Sequence, residues 1–190
     1  MSAEASFRLK GSRFLGLAFP AETVERFKQR LQERSKQYHD ATHNCWAYRI
    51  LIDDRIEVGI SDAGEPSGTA GKPILSTIEG RNLLNIGVVI TRYFGGTKLG
   101  TGGLARAYAD CANLALDASE VISRIISSQI TIRFPYDHVN GVMRIIQKFG
   151  GKIENSTYDQ DAALRITIPR SQTEHFRQEI LDACRGNVKF

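Results

Sequence analysis

The chain has 190 residues, enough for two small domains, with 42% hydrophobic and 24% charged residues. That balance excludes disordered and fibrous classes, and no apolar run is long enough to cross a bilayer. The formal net charge of +4, from 25 basic and 21 acidic residues, says little about nucleic acid until its distribution along the chain is known.

Met1-Ser2-Ala3-Glu4 offers neither the charged nor the apolar region of a signal peptide, so a cytoplasmic protein with no membrane contact is expected. Residues 5–19 alternate in two runs broken at Gly11-Ser12, which predicts a hairpin. A helix follows Pro20, with Val24, Phe27, Leu31 and Tyr38 at helical spacing. Cys45–Ile52 and Arg55–Ile60 read as strands joined by a turn at Asp53-Asp54. Pro73–Glu79 reads as a short helix. Ile86–Tyr93 is β-branched and continuously apolar, the mark of a central strand. Leu104, Ala107, Tyr108, Cys111, Leu114 and Ala118 trace a long helix opening at Gly102-Gly103.

Around Ser119–Ser128 the pattern starts again. A strand at Ile130–Phe134 and a helix from Val139 to Phe149 come first. Two strands, Ile153–Tyr158 and Leu164–Ile168, flank a turn at Asp159-Gln160-Asp161. A helix through Phe176, Ile180 and Cys184 follows, and Asn187–Phe190 closes as a strand. This β-α-β-β-α-β order is the ferredoxin-like plan. Residues 1–122 and 128–190 are the expected domains.

Two glycine-dense loops stand out, Ser61–Pro73 and Arg92–Leu104, each feeding an amphipathic run. A helix that opens after such a loop offers unpaired N–H groups and a positive dipole end to an anion. Between Thr69 and Tyr108 the basic residues are Lys72, Arg81, Arg92, Lys98 and Arg106, and Glu79 is the only acid. That local excess suits phosphate, or equally a solvated face balanced by acids elsewhere. Neither loop fits a Walker A or a dinucleotide fingerprint, since Thr101 rather than lysine follows Gly100 and no βαβ unit is apparent. Leu99–Ala105 is similar in glycine density to the loop of the small-molecule kinases that include galactokinase, without their leading proline and paired serines.

The candidate phosphate or nucleic-acid contacts are Gly68, Thr69, Gly71 and Lys72 in the first loop. In the second they are Arg92, Tyr93, Phe94, Gly95, Gly96, Lys98, Gly100, Thr101, Gly102, Gly103 and Arg106, with Tyr93 or Phe94 placed to stack a base. Asp62 and Glu65 form a possible acid pair for Mg²⁺ or acid–base work, or else serve as turn and cap residues. His39 and His43 would share a face if helical, but no triad is legible. The odd count of three cysteines, with no C-x-x-C, supports neither a disulfide framework nor a zinc ribbon. Cys111 and Cys184 read as core thiols. Cys45, two residues after His43, hints at a metal but has no second pair at ligand spacing. No cofactor and no metal are expected, and no catalytic residue is assigned.

Asp62–Pro73 resembles the D-x-G-E-P-x-G-T-A-G-x-P block of the IMPACT/YigZ family, and Val89–Gly100 is similar to its second signature of x-R, two aromatics and G-G-x-x-hydrophobic-G. Asp40–Tyr48 resembles the block before the family's central strand. The resemblance covers residues 5–118, and the tail fits the bacterial YigZ-type layout; the eukaryotic members' RWD module has no counterpart in these 190 residues. It implies an N-terminal domain like domain 2 of ribosomal protein S5 and a C-terminal domain resembling domains of elongation factor G. It also implies RNA or the ribosome as partner, since eukaryotic IMPACT proteins regulate translation initiation through a starvation-sensing kinase pathway. Some relatives carry a proline-dipeptidase label, for which no metal-ligand constellation is visible here. The sequence therefore points to a nucleic-acid-binding modulator of translation. A Mg²⁺-dependent nucleotide or phosphoester enzyme and a protein–protein adaptor are the alternatives.

Overall fold

The computed structural model describes every residue except Met1, Asp54 and Asp159. The chain is mixed α/β and divides into two compact units, Met1–Val121 and Ile122–Phe190. The Asp53-Asp54 and Asp159-Gln160-Asp161 turns fall in part outside the described residues.

In the first unit, β1 (Ala3–Leu9) and β2 (Ser12–Pro20) form the hairpin, followed by α1 (Val24–Gln37), β3 (His43–Ile52), β4 (Arg55–Ser61), α2 (Gly71–Gly80), β5 (Ile86–Tyr93) and α3 (Gly100–Asp117). The five strands pair antiparallel in the order β1-β2-β5-β3-β4. β5 lies in the middle, as its uninterrupted apolar run predicts, because a strand covered on both faces has no solvent side to leave polar. On one face, Phe19, Tyr48, Ile50 and Val89 pack against Phe27 of α1. On the other, Phe14, Cys45, Ala47, Val88 and Ile90 meet Ile74 and Ile78 of α2 and a stripe of α3 that includes Leu104, Tyr108 and Cys111. Thr23 caps α1 by accepting from the Arg26 N–H at 3.2 Å.

Both helices that follow the glycine loops begin two residues before the sequence suggests, α2 at Gly71 and α3 at Gly100. Pro73 fits in the first turn of α2 because the N–H it lacks would have no helical partner there. His39 lies in the turn after α1 and His43 on β3, so the two do not share a helix face.

In the second unit, β6 (Ser127–Pro135), α4 (Val139–Lys148), β7 (Lys152–Tyr158), β8 (Asp161–Pro169) and α5 (Thr173–Ala183) follow in order, and the sheet order is β6-β8-β7. Val142, Ile146, Phe176 and Ile180 of the two helices pack on Ile130, Ile132, Phe134, Leu164 and Ile166 of the sheet. The expected closing strand is reduced to one antiparallel bridge, Arg133 with Lys189. Positive φ at Arg185 (50°) and Gly186 (80°) turns the chain back toward β6. Among the described residues no helix is long and apolar enough to cross a membrane.

Candidate functional site

The Ser61–Ala70 loop is wrapped around one carboxylate. Asp62 Oδ2 accepts the N–H of Gly68 at 2.8 Å, and Oδ1 accepts those of Ala70 at 2.9 Å and Gly71 at 2.8 Å. These donors lie at the entry to α2, so Asp62 supplies a remote cap where Ala70 itself has no side-chain oxygen. Burial raises the Asp62 pKa, but the three N–H bonds outweigh that and hold it below the ordinary carboxylate value. Thr69 is buried and donates its hydroxyl to the Pro66 carbonyl at 2.6 Å.

Glu65 and Arg92 join the two loops beneath the surface. Their side chains are 4% and 5% exposed and pair through Oε1 and Nη1 at 2.5 Å. The Tyr108 hydroxyl donates to the same Oε1 at 2.8 Å. Arg92 Nη2 donates to Ser12 Oγ at 3.2 Å, and Ser12 Oγ also accepts the Gly95 N–H at 3.1 Å. Two remote segments, the start of β2 and the first loop, thus converge on one arginine at the end of β5, and Tyr108 of α3 joins them through Glu65. His43 Nδ1 lies 2.9 Å from the Ala63 carbonyl and Nε2 lies 3.8 Å from Glu65 Oε1. Cys45 donates its thiol to the Asp62 carbonyl at 2.9 Å, with Tyr108 Oη at 3.3 Å. Burial pushes the Cys45 thiol up to about 12 and raises the Tyr108 phenol further. Both keep their protons near neutrality, so neither the thiol nor the phenol is an ionised nucleophile.

What faces solvent is the second loop and the start of α3. Phe94 is 47% exposed and its ring lies 5.5 Å from the Arg92 guanidinium. Lys98, Thr101, Gly102 and Arg106 are exposed, as is Lys72 at the start of α2. α3 has no side-chain cap and no acid in its first turn, so its N–H groups and dipole face outward uncompensated. Gly95 and Gly102 are glycines for different reasons. A Cβ on Gly95 would lie 1.8 Å from the Gly11 carbonyl carbon, so the loop's close contact with the β1–β2 turn excludes any side chain. A Cβ on Gly102 would meet nothing within 4 Å, so no neighbour in this chain requires glycine there.

The structure corrects several sequence expectations. Gly68, Thr69 and Gly71 do not present N–H or hydroxyl groups to a phosphate, because those of Gly68 and Gly71 bond Asp62 and the Thr69 hydroxyl bonds Pro66. The Gly95 N–H bonds Ser12. Arg92 is a buried, neutralised cation rather than a surface contact, and Tyr93 directs its hydroxyl to Asp40 at 2.7 Å. Asp62 and Glu65 serve backbone and guanidinium donors and do not form a free carboxylate pair. Phe94, Gly96, Lys98, Gly100, Thr101, Gly102, Gly103, Arg106 and Lys72 lie on the loop surface or the openings of α2 and α3. Sequence reasoning missed Ser12 as a partner and read Tyr108 only as part of the α3 stripe. The legible signal for Tyr108 was a hydroxyl-bearing ring on a helix face otherwise lined by Leu104, Ala107 and Cys111, since a buried phenol needs an acceptor.

Comparison with known proteins places this arrangement. Residues 10–116 match the Impact N-terminal domain, and residues 132–187 match a domain of unknown function, DUF1949. The IMPACT family member YigZ of Escherichia coli is 34% identical over 182 residues, covering 95% of this chain and 89% of that protein. YvyE of Bacillus subtilis is 30% identical over 185 residues, covering 97% and 85%. A crystal structure described as that of a hypothetical protein superposes with a TM-score of 0.68 at 32% identity, covering 99% of this chain and 92% of its own.

Proposed function

The chain belongs to the IMPACT family, and from that premise we propose that it binds RNA or the ribosome and modulates translation. The observation that carries this reading is the uncompensated opening of α3. Its N–H groups and Lys98 and Arg106 face solvent, Gly102 leaves the main chain bare, and Phe94 stands exposed beside it. A phosphate held by backbone donors and flanking cations, with an adjacent base on Phe94, uses each of these groups. The family resemblance supports the same direction, since eukaryotic IMPACT proteins act on translation initiation. The buried Glu65–Arg92–Tyr108 network holds the loop in place and takes no part in contact.

The test is fluorescence anisotropy of a labelled single-stranded RNA across a salt series, with Lys98→Ala/Arg106→Ala alongside. Each lost phosphate contact lowers the slope of log affinity against log salt by about 0.7. A slope reduced by about 1.4 in the double variant supports the site. An unchanged affinity and slope overturn it.

A second reading, the protein–protein adaptor, draws on β4. This edge strand shows Ile56, Val58 and Ile60 at 47%, 46% and 45% exposure on one face, an apolar stripe that a protein partner can cover. A partner held there is lost on Val58→Lys and kept in Lys98→Ala/Arg106→Ala.

A further inference from the structure

The sheet of the second unit is covered on one side only. β6 and β8 alternate without a break: Ile130, Ile132, Phe134, Leu164 and Ile166 point into the core under α4 and α5. The other face carries Gln129, Thr131 and Arg133 of β6 beside Thr167, Arg165 and Ala163 of β8, in direct register. β7 adds Asn155 opposite Arg165 and Thr157 opposite Ala163. The bridge at the far edge sets Lys189 directly across from Arg133, through reciprocal N–H to carbonyl bonds of 2.9 Å each.

The charges on this face are mostly basic: Lys152 stands opposite Thr167 and is paired with Glu154, and Asp161 stands at its end. Arg133, Arg165 and Lys189 are exposed, and their side chains make no ion pair or hydrogen bond with another described residue. Arg133 and Arg165 stand on the diagonal of adjacent strands, about 7–8 Å apart at the backbone. The acids nearby are at the margins. Glu154 sits at the β7 bulge and pairs with Lys152 at 3.3 Å, and Asp161 lies at the end of β8 opposite Pro135. Like charges directly across a ladder destabilise it, so the Arg133–Lys189 pair is a local cost with no internal anion to relieve it. Such a conflict between local stability and sequence marks a site where an external group completes the balance.

We propose that this open face of the β6-β8-β7 sheet binds the phosphate backbone of RNA without reading its bases. The three cations meet phosphates, and the hydroxyl and amide groups of Thr131, Thr167, Gln129 and Asn155 donate to phosphate and sugar oxygens. No aromatic or large apolar side chain stands on this face among the described residues. It therefore lacks both the stacking platform of base readers and the apolar anchor that a protein partner needs. This surface shares its ligand class with the reading of the α3 opening but rests on different residues.

The experiment is anisotropy with the full chain, using two labelled single-stranded RNAs of different base composition. Arg133→Ala/Arg165→Ala is compared with Lys98→Ala/Arg106→Ala and with the unaltered protein. Binding that varies as about the inverse 0.7 power of salt per phosphate makes each contact worth about fivefold at ~0.1 M salt. The sheet variant is therefore expected to bind both RNAs about 25-fold more weakly, with the salt slope reduced by about 1.4. Lys189→Glu is expected to raise the thermal midpoint, by setting opposite charges across from Arg133, while weakening RNA binding. Sheet variants that bind as the unaltered protein does, or a loss confined to one RNA, overturn the proposal. If only the sheet variants lose affinity, the proposal stands and the α3 reading falls; if only the α3 variants do, the reverse holds. An unaltered protein that binds neither RNA overturns both.

Discussion

Removing Glu65 while leaving Arg92 in place tests whether the two glycine loops are held from beneath by one buried ion pair. Both side chains are at least 95% buried, and the carboxylate also takes the Tyr108 hydroxyl. Glu65→Leu leaves a guanidinium without its counter-ion and a phenol without its acceptor, in a place where water does not compensate. Breaking such a pair from one side costs about 3–5 kcal/mol, against a total domain stability of roughly 5–15 kcal/mol. The single tryptophan, Trp46, lies in the same unit against Phe27 and Tyr48, so its fluorescence in a urea titration reports this unit's unfolding. With a urea dependence of about 2 kcal/mol per molar, the midpoint falls by about 1.5–2.5 M. The double variant Glu65→Leu/Arg92→Met removes both charges and recovers the part of the loss that the lone guanidinium causes. It leaves the Tyr108 hydroxyl unsatisfied at about 1–3 kcal/mol, so the coupling energy of the cycle is at least about 2 kcal/mol. Single variants that each lose under about 1 kcal/mol, or losses that simply add in the double variant, refute the clamp.

Two further perturbations address the loops themselves. Asp62→Ala strips three N–H groups of their acceptor at the opening of α2 and is expected to cost about 2–4 kcal/mol in the same titration. The Asp62 pKa is depressed on folding, so its ionic contribution is present above the ordinary value near 3.8 and is lost as pH falls through the lower folded value. The stability gap between the unaltered protein and Asp62→Asn is therefore expected to stay level from neutral pH to about 5 and to narrow only in stronger acid. Gly102→Ala, which adds a Cβ into open space on a helix, is expected to stabilise the first unit by up to about 1 kcal/mol. If a phosphate approaches the main chain there, the same substitution weakens RNA binding; a gain in stability with unchanged affinity counts against that contact.

Much of this molecule is written locally. The alternation of β6 and β8, the continuous apolar run of β5 and the helical stripes of α1 and α3 each reach solvent or core through periods of two or 3.6 residues. A reader of the chain alone can assign them, together with the two-part organisation and the loops around residues 62–71 and 92–103. The sequence motifs also identified the family. What the chain alone did not determine is which polar groups in those loops remain free. Asp62 is a turn residue or a ligand until the N–H groups of Gly68, Ala70 and Gly71 are seen to close on it. Arg92 is a surface cation or a core cation until Ser12, 80 residues earlier, and Glu65, 27 residues earlier, are brought to its guanidinium. The likeness of charge across Arg133 and Lys189 exists only because the chain returns to β6 after α5. Hydrophobic periodicity is a short-range property, carried by neighbours within one turn or one pleat. The pairing of buried charges and hydrogen bonds is long-range, and only the folded backbone decides which donor meets which acceptor.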